Sequence, residues 1–327
     1  MLLFSLDPEC RLTPALAAAL NVPVARHEER RFDDGERKLR PLSDPRGRDA
    51  YLVCSLHGGP EESPHDKLLR MLMFVATLKD HGTARVTVVV PYFAYARKDR
   101  QTKPFDPVTL RYVAQLFEAV GTDQAIVLEV HNVAAFQNAF RRSTIHLEAH
   151  RVFDPIVATM ADAGPLAVAS PDPGGVKRAL LWRESLEARL GRPLSFAMVD
   201  KRRSQGIVSS QSLVAGDVAG ATVLLLDDLI ASGETMTRAA TALRRAGARR
   251  VMAFAAHGLF TGSADATLDD PSLDELVVTD SVPPFRLPAA GADMARLRVV
   301  SAAPLFAEAI RATHAAWRRP ALNPATS

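Results

Sequence analysis

The chain lacks the features that define several classes of protein. Its 327 residues include only two cysteines, Cys10 and Cys54, which form no metal-type or redox-type pair. This argues against a disulfide scaffold and against a zinc ribbon. No apolar run approaches the roughly 18 residues of a membrane span, and Met1–Arg11 lacks the pattern of a signal peptide. We therefore expect a cytoplasmic protein that has no membrane partner.

A strong excess of charge of one sign is also missing. The net charge is only +3, and the hydrophobic fraction of 47% and charged fraction of 24% are those of a globular protein. The pairs Arg244-Arg245 and Arg249-Arg250 flank Gly247 at a predicted helix C-terminus, where cations complement the helix dipole. We therefore predict no nucleic-acid partner. The sequence also has no Gly-x-x-x-x-Gly-Lys-Ser/Thr motif, which excludes nucleotide binding by a P-loop.

The chain does contain a regular alternation of strand and helix patterns. Segments such as Leu68–Leu78 and Leu110–Phe117 have helical periodicity. The predicted strands, rich in Val, Ile and Leu, are Arg85–Val90, Gln124–Val130, Pro165–Ala169, Leu194–Val199, Thr222–Leu226 and Val251–Ala256. This alternation predicts an α/β fold with mainly parallel sheets and helices on both faces. We expect two domains, 1–145 and 146–302, with a C-terminal helix over 303–318 that joins the first domain.

The most informative segment is Val223–Thr235. Its apolar start predicts a buried strand, which is followed by Asp227 and Asp228 and then by a Ser/Gly/Thr turn that opens a helix. The acids can accept hydrogen bonds from two ribose hydroxyls, and backbone N–H groups at a helix N-terminus favour a phosphate. An ordinary strand–loop–helix connection with an Asp cap is the alternative, but the whole ordered segment is more specific. It resembles the phosphoribosyl-pyrophosphate loop of phosphoribosyltransferases and ribose-phosphate pyrophosphokinases.

Polar groups follow other predicted strands as well. The segment Pro91–Arg100 follows one strand, His131 ends another, and Asp172 and the Lys201–Arg203 segment follow two more. Each of these groups alone has an ordinary explanation, since a lone histidine is usually structural and an Asp-Pro-Gly-Gly stretch is usually a turn. In open α/β sheets, however, ligands bind beyond the carboxyl ends of the strands. Their recurrence at that edge predicts a site for phosphate chemistry.

The order of these motifs resembles the ribose-phosphate pyrophosphokinase (phosphoribosyl-pyrophosphate synthetase) family over about 32–311. Phe32–Glu36 resembles its adenine-contacting loop, and Pro91–Arg100 resembles its Pro-Tyr-x-x-Tyr-Ala-Arg-x-Asp-Arg motif. Glu129–His131 resembles its Asp-x-His, and Ser170–Gly175 resembles its Ser-Pro-Asp-x-Gly-Gly. Asp200–Arg203 resembles the root of its mobile catalytic loop. The family fold has two phosphoribosyltransferase-like domains, which is the architecture that the resemblance implies here.

The resemblance also implies an activity and a set of roles. The reaction transfers the diphosphoryl group of ATP, with Mg²⁺, to the 1-hydroxyl of ribose 5-phosphate, in a homo-oligomer such as a dimer or hexamer. The implied ATP-binding residues are Phe32, Asp34, Glu36, Arg97, Lys98, Asp99 and His131. The implied catalytic residues are Lys201 and Arg203, and the implied metal-binding residues are His131 and Asp172. The implied ribose 5-phosphate-binding residues are Asp227, Asp228, Ser232, Gly233, Glu234 and Thr235.

Some positions depart from the common family pattern. Pro173 replaces a frequent histidine, Glu234 replaces a glycine beside the expected phosphate, and Ala231 replaces an acid of many synthetases. The segment 101–107 lacks the sequence that regulated bacterial enzymes use at their effector site, and it is more similar to the archaeal-type branch. Two alternatives stay open: a phosphoribosyltransferase that consumes the diphosphate, and a non-catalytic subunit that regulates a synthetase.

Overall fold

The computed structural model describes residues 1–7, 10–160, 164–204, 207–262, 264–287 and 294–318, apart from the side chains of 201–204, 207–211 and 265. The first half of the described chain has β1 (Leu2–Ser5), α1 (Leu12–Leu20), β2 (His27–Arg31), β3 (Arg37–Pro41), β4 (Asp49–Val53), α2 (Pro64–Asp80), β5 (Arg85–Val90), α3 (Thr109–Ala119), β6 (Gln124–Leu128), α4 (Val133–Ala139) and β7 (Ser143–Leu147). The rest has α5 (His150–Ala158), β8 (Leu166–Ser170), α6 (Val176–Leu190), β9 (Ser195–Ser204), β10 (Ile207–Ala215), β11 (Thr222–Ile230), α7 (Glu234–Arg245), β12 (Arg250–Gly258), α8 (Asp265–Asp269), β13 (Glu275–Thr279), β14 (Leu297–Val300) and α9 (Ala303–Arg318). Two 3₁₀ turns, Pro173–Gly175 and Met294–Arg296, complete the elements of these ranges.

The chain divides into two compact units, at Leu147/Glu148 and again at Ser301/Ala302, so that α9 belongs to the first unit. Both units have a mainly parallel sheet flanked by helices, which confirms the predicted fold class. Within the described ranges, no helix is long and apolar enough to cross a bilayer.

The sheet of the first unit has the order β1-β4-β5-β6-β7, and its strand pairs are all parallel. One face, which includes Leu52 and Val88, packs with Phe74 of α2 and Phe117 of α3. Helix α2 begins at a capping box, in which the side chain of Ser63 accepts from the N–H of Asp66 and the Asp66 carboxylate accepts from the N–H of Ser63.

The other face of this sheet lies under α9. Arg85 donates to both carboxylate oxygens of Asp49 at 2.8 Å and to the hydroxyl of Tyr51 at 2.7 Å. His314 Nδ1 of α9 lies 2.6 Å from Asp49 Oδ2, and the Arg85 guanidinium lies 5.6 Å from the Trp317 ring centroid. Asp49 is fully buried, so these charged partners offset the cost of its desolvation.

The sheet of the second unit has the order β10-β9-β8-β11-β12-β13-β14, and among its described pairs only β9 with β10 is antiparallel. On one face, Phe254 of β12 packs against Trp182 of α6 and Phe153 of α5. On the other face, Leu225 and Ala253 pack with Met236 of α7. From β8 the chain crosses to one side of the sheet, and from β11 it crosses to the other. The boundary between β8 and β11 is therefore a topological switch point.

The predicted strands match β5, β6, β8, β9, β11 and β12 in position, but several predicted ends are wrong. We expected β11 to stop at Leu226, yet it continues through the acids to Ile230 because β12 pairs with it as far as Gly258. On its other side, β8 pairs with β11 only as far as Leu225. A hydrophobic pattern detects the buried part of a strand and misses a polar extension that one neighbouring strand still supports.

Candidate functional site

The second unit presents two carboxylates at its switch point. Among the described residues, β8 pairs with β11 only as far as Leu225, whereas β12 pairs with it beyond that point. Asp227 and Asp228 therefore lie on a part of β11 that has no strand partner on the β8 side. Asp228 is 4% exposed, while Asp227 is partly exposed. The N–H of Asp228 donates to Oδ1 of Asp227 at 2.8 Å. The two acids therefore sit in the crevice in which open α/β sheets bind ligands.

Arg178 of α6 faces both of these acids, and sequence reasoning missed it. Its Nη1 lies 3.7 Å from Asp227 Oδ1 and 3.8 Å from Asp228 Oδ1, and its side chain is 15% exposed. Burial and the charge of Asp228 raise the pKa of Asp227 well above the usual aspartate value, and Arg178 opposes that rise. The only signal in the sequence is a basic residue one turn into the helix that follows Gly174-Gly175.

Asp172 uses part of its carboxylate to hold its own turn. Its Oδ1 accepts from the N–H groups of Gly174 at 2.8 Å and Gly175 at 3.2 Å, and its carbonyl accepts from Ser170 Oγ at 2.6 Å. Pro173 begins the 3₁₀ turn, a position where proline is tolerated because no N–H is needed there. The departure at Pro173 is therefore compatible with this turn.

The segment between β11 and α7 is tightly packed. Gly233 has φ +83°, and a Cβ there would lie 1.8 Å from Oγ1 of Thr267. That hydroxyl donates to the carbonyl of Ser232 at 3.2 Å, and the N–H of Thr261 donates to the carbonyl of Ala231 at 2.9 Å. Contacts with Thr267 and Thr261 thus fix this loop just before the N-terminus of α7, where the helix dipole favours an anion.

Glu234 is exposed at the first position of α7. It lines a cavity of about 610 Å³ together with Thr237, Arg238 and Thr241, which follow it along one face of the helix. Glu234 therefore shares the cavity-lining face of α7 with these residues.

In the first unit, the candidate nucleotide residues Phe32, Asp34 and Glu36 lie at the tip of the β2–β3 hairpin. The tip is closed by the N–H of Phe32, which donates to the carbonyl of Glu36 at 2.8 Å. The Asp34 carboxylate accepts from the N–H of Glu36 at 3.0 Å, and Gly35 has φ +95°. The Arg30 guanidinium lies 5.0 Å from the centroid of the Phe32 ring. All three candidate residues are exposed.

The remaining candidates of the first unit lie on the loops that follow β5 and β6. Arg97 and His131 are exposed. Asp99 accepts from the side-chain amide of Asn132 at 2.7 Å, which joins the two loops beside His131. Lys98 donates to Asp106 at 2.9 Å. The structure thus brings Asp99 close to the His131 segment, whereas the amine of Lys98 is directed to the 102–106 turn.

Lys201 and Arg203 lie on the backbone of β9, opposite Ser212 and Val208 of β10. Their side chains lie outside the described residues. In the described part of the chain, no group of three or more His, Cys, Asp or Glu side chains converges as a ready metal site. His131 belongs to the first unit and Asp172 to the second.

Known proteins are similar to this chain over nearly its whole length. A family model of the N-terminal domain of ribose phosphate pyrophosphokinase matches residues 1–121, and one of the phosphoribosyl synthetase-associated domain matches 207–318. The ribose-phosphate pyrophosphokinase of Agrobacterium fabrum is 35% identical and covers 96% of each chain, and that of Wolinella succinogenes is 34% identical and covers 90% of each. The crystal structure of phosphoribosylpyrophosphate synthetase from Mycobacterium smegmatis superposes with a TM-score of 0.83 at 31% identity, over 96% of this chain and 99% of that one.

Proposed function

The chain belongs to the ribose-phosphate pyrophosphokinase family, and we propose that the residues described above carry out the diphosphoryl transfer of that family. The observation that carries the assignment of roles is the acid pair at the switch point of the second unit, followed by a tightly packed turn at a helix N-terminus. A pentose 5-phosphate needs such a pairing of hydroxyl acceptors with an anion site.

Ribose 5-phosphate is the acceptor in this proposal. Asp227 and Asp228 accept hydrogen bonds from the 2- and 3-hydroxyls, and the charge of Arg178 opposes the rise in the pKa of Asp227. The backbone from Ser232 to Thr235 holds the 5-phosphate. Glu234, which lies on the cavity-lining face of α7, contributes its N–H group there.

ATP is the donor, and we assign its binding to the first unit. Phe32, with Asp34 and Glu36, receives the adenine, and Arg97 holds the phosphates. Asp99 supports this arrangement through its hydrogen bond to Asn132 beside His131. Lys98 acts indirectly, because its amine pairs with Asp106.

The chemistry is an in-line displacement at the β-phosphorus of ATP. The 1-hydroxyl oxygen of the sugar forms a bond to that phosphorus, and the bond from the phosphorus to the bridging oxygen of the α-phosphate breaks. AMP leaves with that oxygen, and the hydroxyl proton is released to solvent. Charge accumulates on the transferring oxygens, so catalysis rests on positioning and electrostatic stabilisation. Lys201 and Arg203 are cations of the type that supplies such stabilisation.

Magnesium fits the donor chemistry of this chain. It is a hard cation that prefers oxygen ligands, keeps several waters and binds through one or two carboxylates together with substrate phosphates. We propose that the Asp172 carboxylate, whose Oδ1 accepts from two backbone N–H groups, would hold the ion, and that His131 would act through water or phosphate. The bound ion would neutralise phosphate charge. We further propose a cytoplasmic homo-oligomer, as the family resemblance implies.

Phosphorus NMR of the purified protein with Mg²⁺, ATP and ribose 5-phosphate tests this assignment. We expect AMP to appear in step with a sugar 1-diphosphate resonance, and we expect Lys201→Ala to slow both by on the order of 100-fold or more. If the diphosphate sugar is consumed and no AMP forms, a phosphoribosyltransferase replaces this proposal. Turnover only after a second synthetase is added would instead identify a regulatory subunit.

A further inference from the structure

Four charged side chains form a closed ring beside the β2–β3 hairpin. Arg37 of β3 contacts Glu29 of β2 at 2.5 Å and Glu62 at 2.8 Å, through its two terminal nitrogens. Arg70 of α2 contacts the same two glutamates, Glu62 at 2.8 Å and Glu29 at 3.4 Å. Cations and anions alternate, so this Arg37–Glu62–Arg70–Glu29 ring is electrically neutral.

The ring is considerably drier than an ordinary surface ion pair. The side chain of Arg70 is 4% exposed, and those of Glu62 and Glu29 are 16% and 22% exposed. Arg70 also donates to the carbonyl of Leu6, which ties the ring to the end of β1. Charges in such surroundings attract more strongly than in water, and removal of one member leaves another without its full compensation. The geometry is therefore sensitive to each member.

The position of the ring links it to the nucleotide-binding tip. Arg37 directly follows Glu36, and Glu29 precedes Phe32 by three residues, which places the ring within about 10 Å of the tip along the strands. The hairpin has two further anchors: Leu39, which pairs with Glu29, is buried in the core, and His27, at the end away from the tip, contacts Phe74. A two-stranded hairpin is marginally stable alone, so its orientation depends on such anchors.

We propose that this ring is the positioning element of the nucleotide-binding hairpin, which fixes the direction in which the Phe32–Glu36 tip meets the adenine of ATP. This inference rests on the proposed function for the role of the tip. Arg37, Glu29, Glu62 and Arg70 are positioning residues, because they act through the hairpin and touch no reacting atom. Arg30 assists, since its guanidinium lies over one face of the Phe32 ring and orients it.

The test compares Arg37→Gln with Arg40→Gln in the full-length protein. Arg40 lies on the same strand and forms a similar pair with Glu28 at 2.6 Å, but those side chains are 57% and 36% exposed. We expect Arg37→Gln to raise the KM for ATP about tenfold and to leave the KM for ribose 5-phosphate within twofold. Arg40→Gln should change neither constant by more than twofold, because exposed pairs contribute little.

Glu62→Gln, which alters the ring from the side opposite the hairpin, should reproduce the rise in KM for ATP. Arg37→Lys should recover part of the loss, since one ammonium group cannot bridge both glutamates as a guanidinium does. An unchanged KM for ATP in Arg37→Gln would overturn the inference. A parallel fall in both substrate affinities together with the melting temperature would also overturn it, because that is the result of general destabilisation.

Binding of ATP without turnover separates this inference from the proposed function. Titration calorimetry with ATP in the absence of ribose 5-phosphate should show the same tenfold loss of affinity in Arg37→Gln and none in Arg40→Gln. If the wild-type protein makes no sugar diphosphate yet this difference in affinity persists, the proposed function fails and the positioning role stands. Equal affinity of the two variants for ATP rejects the positioning role whatever the turnover.

Discussion

The two units place their candidate ligand groups in different ways. In the second unit the strand order reverses between β8 and β11, so the connections that follow these two strands diverge. The candidate acids lie at the ends of the strands or directly after them. In the first unit the order β1-β4-β5-β6-β7 runs in one direction without such a reversal. Its candidate residues instead extend on a hairpin and on two loops.

This difference sets how each site is stabilised. The edge of the second unit that we propose binds ribose 5-phosphate, the ribose edge, relies on close backbone packing, such as Gly233 against Thr267, beside the buried Asp228 and the partly exposed Asp227. The β2–β3 hairpin, which we propose binds ATP, relies on long charged side chains that reach it from other elements, as in the Arg37–Glu62–Arg70–Glu29 ring. Small changes of volume should therefore harm the second unit most, and changes of charge should harm the hairpin of the first.

Gly233→Ala should have the largest effect on the ribose edge. The added Cβ would lie 1.8 Å from Thr267 Oγ1 at a φ of +83°, so the loop must shift. We expect the KM for ribose 5-phosphate to rise roughly 100-fold and the free energy of unfolding to fall by about 2–4 kcal/mol. The control is Gly191→Ala, which has φ +65° but no described atom within 4 Å of the new Cβ and should cost about 1 kcal/mol with unchanged KM. Similar KM values in the two variants would contradict the packing explanation.

Arg178→Gln should have the next largest effect. The loss of its positive charge removes the group that opposes the raised pKa of Asp227. We expect the KM for ribose 5-phosphate to rise about tenfold at neutral pH, and the acid limb of its pH profile to move to higher pH. Lys177→Gln, on the exposed neighbour, is the matched control and should leave the profile in place. An unmoved acid limb in Arg178→Gln would show that the acids do not depend on this arginine.

Asp227→Asn should sharpen the contrast by stabilising the second unit while weakening its site. Burial and Asp228 raise the pKa of Asp227, so the native state holds this proton more tightly than the unfolded state does. This tighter proton binding stabilises the native state at low pH. The stabilisation is lost as the pH rises above the ordinary aspartate pKa and through the raised pKa of Asp227. We expect the variant to gain on the order of 1 kcal/mol at pH 7, measured by urea unfolding, and the gain should vanish near pH 4. A gain independent of pH would point to a cause other than ionisation.

Lys98→Met should have the smallest effect, although Lys98 belongs to the motif that we propose binds ATP. Its side chain is 42% exposed and its amine pairs with Asp106. Asp106 also accepts from the Thr102 hydroxyl and from the N–H of Lys103, which keep the turn closed without Lys98. We expect the KM for ATP to change by less than about threefold, whereas Arg97→Met should raise it by tenfold or more. A large effect of Lys98→Met in steady-state kinetics would mean that its amine leaves Asp106 to reach the nucleotide.

Local pattern located several of the buried strands but not all of them, since the predictions leave out β1, β4 and β13. The predicted strands omit β2 and β3, because segments such as His27–Arg31 carry no apolar run. The predicted strand Leu194–Val199 also stops before Lys201, which in the structure lies on β9 and pairs with Ser212 of β10, a strand that was not predicted. Polar strands form where a neighbour supplies hydrogen bonds and an anchor, and neither is visible from composition.

The candidate site shows the same division. Asp227, Asp228 and the Ser232–Thr235 turn were recognisable because their chemistry is contiguous in the chain. Arg178 was missed because it meets Asp227 from 49 positions earlier in the chain, a distance that no local motif spans. No local pattern indicates which face of α7 Glu234 occupies. Only the folded structure places it beside Thr237, Arg238 and Thr241 at the cavity.

The sequence by itself determined the alternation of strands and helices and the kinds of side chain that follow the strands, because periodicity and motif order are local properties of the chain. The tertiary structure alone decided that β11 continues past Leu226, that Arg178 faces the acid pair, and that Arg37 and Arg70 share two glutamates. Each of these depends on which distant segments pack together, and burial then sets how strongly their charges interact.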